Sequence, residues 1–103
     1  MIIVIAAITV KAGMRDDFLK IFNSNVPNVL AEDGCIEYIP TVDYPTGLPP
    51  QQCDENIVTI VEKWQSMEAL EAHLQAPHML DYKEAVKDMV VNLELKILQK
   101  VEG

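Results

Sequence analysis

Two apolar runs, Ile2 to Val10 and Ile57 to Val61, constrain the fold of this chain more than any other feature. Both are rich in β-branched residues, and neither shows the regular polar alternation of a half-exposed strand. Each predicted strand therefore has two apolar faces that must be covered. In a chain of 103 residues the helices can cover only one face of a sheet, so we expect a second copy of the chain to cover the other. The sequence predicts a homodimer whose two sheets stack face to face.

The first half of the chain contains one helix, one edge strand and one long loop. Apolar residues from Met14 to Leu30 follow helical spacing, and Gly34 supplies a stop signal. A second strand is predicted at Cys35 to Val42, where Pro40 indicates a sheet edge because it cannot donate a backbone hydrogen bond. The segment Asp43 to Glu55 has three prolines and no periodicity, which predicts a loop.

The second half of the chain has the order strand, helix in two pieces, strand. A central strand is predicted at Asn56 to Trp64, and Ser66 can cap a short helix after it. A further helix is predicted from Pro77 to about Val90, followed by a half-buried strand from Asn92 to Lys100. The order β, α, β, β, α in two pieces, β predicts an α+β protein with the ferredoxin-like βαββαβ arrangement. We expect residues 1–103 to form a single domain.

Charge and cysteine content exclude several classes of partner. Eight Lys and Arg residues against sixteen Asp and Glu give a formal net charge of −8, which repels nucleic acid and anionic lipid. No apolar segment approaches the roughly 20 residues that a membrane helix needs. Cys35 and Cys53 are too few for a secreted disulfide scaffold, and no basic residue precedes the first apolar run as in a signal peptide. We expect a cytoplasmic protein.

Motifs for cofactors and metals are absent from the sequence. The four glycines are widely separated, so there is no dinucleotide fingerprint and no phosphate-binding loop. His73 and His78 are five residues apart with Pro77 between them, so they cannot share one helix face as metal ligands. Neither Ser24 nor Ser66 lies in a nucleophile elbow. We therefore expect no cofactor, no metal and no covalent hydrolysis.

The two histidines are the candidate catalytic residues. His73 falls near the end of the short helix, where the helix dipole favours the imidazolium, and His78 falls in the first turn of the next helix, where it favours the neutral ring. Two histidines that differ in protonation suit a base and a hydrogen-bond partner beside a phenolic substrate. In the alternative interpretation, both rings only cap or bridge the break between the helices.

Five further residues are candidates for binding a substrate. Each has an alternative role in the core or on a helix surface. Tyr82 follows His78 by one turn on the same helix face, and Asn25 precedes Pro27 in the first helix. These two could orient a substrate. The three candidates for apolar walls are Phe22, Trp64 and Met79.

The stretch VEKWQSMEALEAHLQAPHMLDY, together with the leading strand and the AEDGCIEY turn, resembles the antibiotic biosynthesis monooxygenase family, and its small quinol-monooxygenase-like members in particular. The resemblance covers nearly the whole chain. It implies a dimeric α+β barrel with a pocket between helices and sheet in each subunit. It also implies oxygenation of quinols or phenols without metal or flavin. The haem-degrading branch is disfavoured, because Ala6 and Ala7 occupy the strand where that branch carries an asparagine, and its ligand position falls near Lys83.

The function expected from these observations is oxidation of a quinol or phenolic small molecule by dioxygen. An electron-rich hydroquinone can reduce dioxygen itself once it is deprotonated, and His73 or His78 would remove the proton. Two alternatives stay open. The chain could be a dimeric module that binds a small molecule without catalysis, or an isomerase of a small carbonyl compound.

Overall fold

The computed structural model describes residues 1–102, and in this range four strands and three helices alternate in the predicted order. The elements are β1 (Ile2–Val10), α1 (Arg15–Leu30), β2 (Cys35–Thr41), β3 (Ile57–Trp64), α2 (Met67–Leu74), α3 (Pro77–Val86) and β4 (Val90–Leu98). The strands form one antiparallel sheet in the order β2-β3-β1-β4. This is the ferredoxin-like arrangement, so the predicted fold class is confirmed.

The two central strands divide their side chains between two faces of the sheet. Even-numbered residues of β1 from Val4 onward and of β3 point towards the helices and are buried, as in Val4, Ile60 and Trp64. Odd-numbered residues point to the opposite face, which no helix within residues 1–102 covers, and are only partly buried. This open face carries Ile5 opposite Val61 at its centre. Both faces are apolar at the centre, as the sequence indicates.

The edge proline, the helix cap and the long loop that the sequence predicts are all present in the structure. Pro40 lies in β2 at the edge of the sheet. The Oγ of Ser66 accepts a hydrogen bond from Ala69 N–H at 3.2 Å and caps α2. Residues 42–56 contain no helix or strand, and Asp54 N–H donates to Asp43 Oδ2 at 2.8 Å across this loop. Within residues 1–102, no helix combines the length and the apolar character that crossing a bilayer requires.

The end of α3 and the burial of β4 differ from the prediction. The helix ends at Val86 instead of Val90, because Met89 N–H donates to Val86 O in a turn and Met89 O accepts from Lys11 N–H beside β1. Pairing with β1 thus draws this segment out of the helix. The strand β4 has Leu93 and Leu95 on the helix side, opposite Ile8 and Ala6, yet both leucines are about half exposed. The helices do not reach far enough to bury them.

Gly34 connects the start of β2 to the helix layer. Its φ of +85° lies in the left-handed region, and a Cβ added there would lie 2.6 Å from the Cβ of Ala69. Its carbonyl oxygen accepts a hydrogen bond from Gln65 N–H at 2.8 Å. Gly13 has a similar φ of +80°, but a Cβ there would meet nothing within 4 Å. The two glycines share a backbone conformation and differ in the space around them.

We predict that Gly34→Ala lowers the free energy of unfolding more than Gly13→Ala does. Both substitutions place a side chain in the left-handed region at a cost of about 1–2 kcal/mol. Only Gly34→Ala adds a steric overlap with α2, which costs about 1–3 kcal/mol more. Urea unfolding followed by circular dichroism measures both losses. Equal losses would show that α2 and β2 separate without cost.

Candidate active site

A cavity of about 460 Å³ lies between the helix layer and the sheet. Its walls are mainly apolar side chains, which are Ala6, Ile8, Phe22, Ile60, Leu74, Met79, Val86, Val90, Leu93 and Leu95. Fewer polar groups reach the cavity, and these are Tyr38, Glu62, His73, Tyr82, Lys83 and Lys87. An apolar cavity with a few converging polar groups is typical of a site for a small organic molecule.

Three aromatic rings form one side of the cavity. Phe22 stacks on Tyr38 with ring centroids 5.5 Å apart, and Tyr82 meets Phe22 edge-on at 5.5 Å. Burial, and then the nearby Glu62, raise the pKa of Tyr38 and of Tyr82 far above that of a free phenol. Both hydroxyls are therefore protonated at neutral pH, and they can donate hydrogen bonds to a ligand.

His73 is held in one orientation by Glu32. Its Nδ1 lies 2.8 Å from Glu32 Oε2, and its ring packs on Trp64 with centroids 4.5 Å apart. An ionised carboxylate can only accept hydrogen bonds, so the neutral imidazole must carry its proton on Nδ1. The Nε2 of His73 is then an unprotonated acceptor on a residue that lines the cavity.

The pKa of His73 contradicts the expectation from the helix dipole. The imidazolium was expected to be favoured at the end of α2, but burial lowers the pKa of His73 below its usual value. The hydrogen bond and charge of Glu32 raise it again and offset part of the effect. The side chain is only 2% exposed, and the loss of hydration outweighs the dipole. His73 is therefore a neutral base at neutral pH.

His78 contacts the same oxygen of Glu32 as His73 does. Its Nε2 is 3.2 Å from Glu32 Oε2, so Glu32 bridges the two histidines across the break between α2 and α3. His78 lines a shallower depression of about 260 Å³ instead of the main cavity. Its Nδ1 is buried and has no hydrogen-bond partner among residues 1–102. The bridging role that the sequence left open thus belongs to Glu32 and both rings.

The other predicted site residues divide into two groups. Phe22, Met79 and Tyr82 line the main cavity together with His73. Trp64 is fully buried behind His73, and Asn25 lies beside the shallower depression, where its Nδ2 is 3.4 Å from Met79 Sδ. Trp64 and Asn25 therefore support the cavity wall from behind.

Glu62 was missed by the sequence analysis. It is 6% exposed and lines the cavity, and its Oε1 accepts a hydrogen bond from Trp64 Nε1–H at 2.9 Å. Burial raises the pKa of Glu62 to about 7; the Trp64 hydrogen bond lowers it and the charge of Glu32 raises it. The sequence does contain a signal for the burial of Glu62. Side chains alternate along a strand, so Glu62 shares a face with the apolar residues Val58 and Ile60.

Two further site residues were also missed. Glu32 lies in the turn after α1 and is 41 residues from His73 in the chain, so no local pattern connects them. Tyr38 lies in β2 opposite Glu62 and points to the same face of the sheet. Among residues 1–102, no cluster of three or more His, Cys, Asp or Glu side chains has an arrangement that could hold a metal ion. The cavity thus contains a neutral imidazole, a carboxyl group, two phenols and two lysine side chains.

The fold and the cavity define the class of protein: a ferredoxin-like α+β protein in which proton-accepting side chains face an aromatic-walled pocket. The sequence profile of the family described as antibiotic biosynthesis monooxygenase matches residues 1–85. The chain belongs to the antibiotic biosynthesis monooxygenase family, as the sequence resemblance predicts. This membership supports a monooxygenase-like function.

Individual relatives agree with this assignment. The chain is 43% identical over 101 residues to a protein of Escherichia coli K12 described as "Probable quinol monooxygenase YgiN", covering 96% of this chain and 97% of the relative. Its fold is similar to the crystal structure of PA3566 from Pseudomonas aeruginosa, with a TM-score of 0.82 and 23% identity over 98% of this chain and 94% of that one. Rv0793 from Mycobacterium tuberculosis gives a TM-score of 0.81 with 21% identity, over 99% and 96% of the two chains. The two structures support the fold alone.

The raised pKa of Glu62 makes folding stability depend on pH. The pKa rises from 4.5 to about 7 on folding, so the native state holds this proton more tightly than the unfolded state does. The resulting stabilisation is fully present below pH 4.5 and is lost as the pH rises through 7. Over this range it amounts to at most about 3 kcal/mol.

We predict that Glu62→Gln gains stability relative to the wild type as the pH rises from 5 to 8. The amide has no charge to bury, and its oxygen can still accept from Trp64 Nε1–H. The difference in free energy of unfolding should grow by about 2–3 kcal/mol in favour of the variant, as measured by urea unfolding at each pH. The titration of His73 contributes equally to the free energies of unfolding of both proteins, so it cancels from their difference. Glu71→Gln, an exposed change on α2, should follow the wild type. A difference that does not change with pH would contradict burial of an ionisable Glu62.

Proposed function

We propose that this protein is a monooxygenase that oxidises a quinol or another phenolic small molecule with dioxygen and uses no cofactor. The observation that carries the proposal is the His73 imidazole: it belongs to a residue that lines the cavity, and its Nδ1 contact with Glu32 leaves Nε2 as the unprotonated acceptor. Family membership and the name of the Escherichia coli relative support it further.

The proposed reaction needs no external reductant. A hydroquinone and dioxygen give a hydroxyquinone and water: one oxygen atom enters the ring, the other leaves as water, and the hydroquinone supplies the electrons. His73 Nε2 takes a phenolic proton, which leaves an electron-rich phenolate that can pass an electron to dioxygen. The apolar walls exclude water from the reactive pair.

The other site residues act on the substrate or on its base. Phe22 and Met79 form apolar walls, and the hydroxyl of Tyr82 orients the substrate. Trp64 packs on the His73 ring, and His78 shares Glu32 with it, so both hold the base in place. Asn25 contacts Met79 from behind. In this proposal His73 is the base and His78 is a positioning residue.

We further propose that residues 1–103 act as one domain in the cytoplasm and that two copies pair through the open face of the sheet. Cys35 and Cys53 are both free, which fits a reducing compartment. The open face is apolar at Ile5 and Val61, and no helix among residues 1–102 covers it. A second copy would bury it.

The homodimer is tested by a charge at the centre of the open face. We expect the wild type to sediment as a dimer at micromolar concentration and Val61→Lys to sediment as a monomer, because pairing would bury two unpaired ammonium groups. Leu80→Lys is a matched control, since Leu80 is 55% exposed on α3, away from the open face. A monomeric wild type, or a Val61→Lys dimer of equal affinity, would contradict the proposed interface.

Oxygen uptake with menadiol tests the proposed activity. We expect a rate above the uncatalysed background for the wild type and a loss of about 10²- to 10⁴-fold in His73→Gln, as for removal of a general base. His78→Gln should lose less, because it removes only one contact of Glu32. Glu71→Gln should keep the wild-type rate. An unchanged rate in the double variant His73→Gln/His78→Gln would exclude both histidines as the base, and binding of menadiol without turnover would favour a non-catalytic binding module.

A further inference from the structure

The reaction proposed above gives no role to the carboxyl of Glu62, which lines the cavity. Its Oε1 is fixed by Trp64 Nε1–H at 2.9 Å, and this is the one hydrogen bond of the side chain among residues 1–102. Its Oε2 therefore has no protein partner in this range, on a residue that lines the cavity. The carboxyl is thus held through one oxygen, and the other oxygen keeps its capacity to accept a hydrogen bond.

We propose that Glu62 is a second proton acceptor of the cavity and takes a proton from a substrate hydroxyl other than the one that meets His73. This inference rests on the proposed oxidation of a quinol and deepens it. A substrate with two phenolic hydroxyls would meet one acceptor with each, so the site would favour hydroquinones over simple phenols.

A structural role does not account for a carboxyl group at this position. The indole N–H of Trp64 needs one acceptor, and the amide of a glutamine would supply it without a charge to bury. Burying a carboxylate costs free energy that the single hydrogen bond does not return, which is reflected in the raised pKa of Glu62. A group kept at such a cost in a cavity is a candidate for proton transfer.

The surroundings of Glu62 leave it free to exchange a proton. The titratable groups near it or in the same cavity are Glu32 in the turn after α1, Cys35 and Tyr38 in β2, His73 in α2, and Tyr82, Lys83 and Lys87 in α3. Its strand neighbour in β1 is Val4, which has no charge. No lysine lies within ion-pair distance of Glu62 among residues 1–102. Proton exchange therefore meets no competing ion pair.

The proposed step is a simple proton transfer. The substrate O–H bond breaks, its electron pair stays on the substrate oxygen, and a new O–H bond forms on Glu62 Oε2. The carboxyl and the His73 imidazolium then each return one proton to the dioxygen-derived oxygen atom that leaves as water, so His73 is neutral again. Glu62 is ionised again at the end, and the overall reaction with dioxygen is unchanged.

The pH dependence of kcat/KM for menadiol tests the role of Glu62 in turnover. In the wild type the value should rise through two ionisations, one below the usual pKa of histidine and one near 7. Glu62→Gln should lose the upper ionisation and be about 10²- to 10⁴-fold slower at pH 8. Glu62→Asp keeps a carboxyl group and should retain the upper ionisation at a reduced rate. Glu71→Gln should retain both ionisations. An unchanged pH profile in Glu62→Gln would overturn the inference.

Binding of 4-nitrophenol tests the contact without turnover, because the colour of this probe reports its ionisation. A carboxylate beside the bound hydroxyl disfavours the phenolate. The ionisation constant of the bound probe should therefore be at least about tenfold larger in Glu62→Gln than in the wild type. Equal constants, or a cavity that binds neither the probe nor menadiol, would overturn the inference.

The two measurements separate this inference from the proposed function. Oxygen uptake by the wild type with an unchanged Glu62→Gln variant would support the quinol oxidation and reject the role of Glu62. A changed ionisation of 4-nitrophenol in a protein that does not oxidise quinols would reject the proposed oxidation and support Glu62 as a hydroxyl-facing group. Urea unfolding of Glu62→Gln at pH 8 verifies that any loss of rate occurs in a folded protein.

Discussion

The alternation of side chains along β3 determines which residues of this strand lie on the cavity side of the sheet. Val58, Ile60, Glu62 and Trp64 share the face under the helices, so a strand that buries its tryptophan must also bury its glutamate. A shift by one residue would expose Trp64 and bury Lys63, which pairs with Glu37 on the open face at 3.5 Å. Pairing with both β1 and β2 prevents that shift. The buried carboxyl is thus a consequence of the register that forms the core.

Burial then acts on the two ionisable groups in opposite directions on the pKa scale. It lowers the pKa of His73 and raises that of Glu62 to about 7, because in each case the neutral form is favoured in an apolar surrounding. A carboxyl group normally titrates about two units below an imidazole, and here the pKa of the carboxyl is raised while that of the imidazole is lowered. The hydrogen bond with Glu32 limits how far the pKa of His73 is lowered. Burial therefore brings the pKa of Glu62 close to neutral pH, where general bases are effective, and keeps His73 neutral and able to accept a proton.

The sequence predicts local structure well and long-range contacts poorly. Pro40 at the edge, the Ser66 cap and the long loop each depend on neighbouring residues, and each was predicted. The Glu32–His73 contact joins residues 41 positions apart and leaves no local pattern. The helix dipole predicted the wrong direction for the pKa shift of His73. The shift is set by burial, which depends on the packing of Trp64 and Tyr38 around the ring. Glu62 was hidden in a strand interpreted as continuously apolar, although its position in the alternation indicated burial.

Consecutive residues of β3 serve different surfaces, because the sheet is a single layer. Val61 lies on the open face and Glu62 in the cavity, and their backbone is fixed by Ile5 and Val4 on one side and by Ile39 and Tyr38 on the other. A change of side chain at 61 can reach Glu62 only by moving a strand that is hydrogen-bonded on both sides. Such a strand resists displacement, since several backbone hydrogen bonds would have to break together. The proposed pairing of two chains and the proposed proton transfer in the cavity are therefore separable properties of the same strand, although they involve adjacent residues.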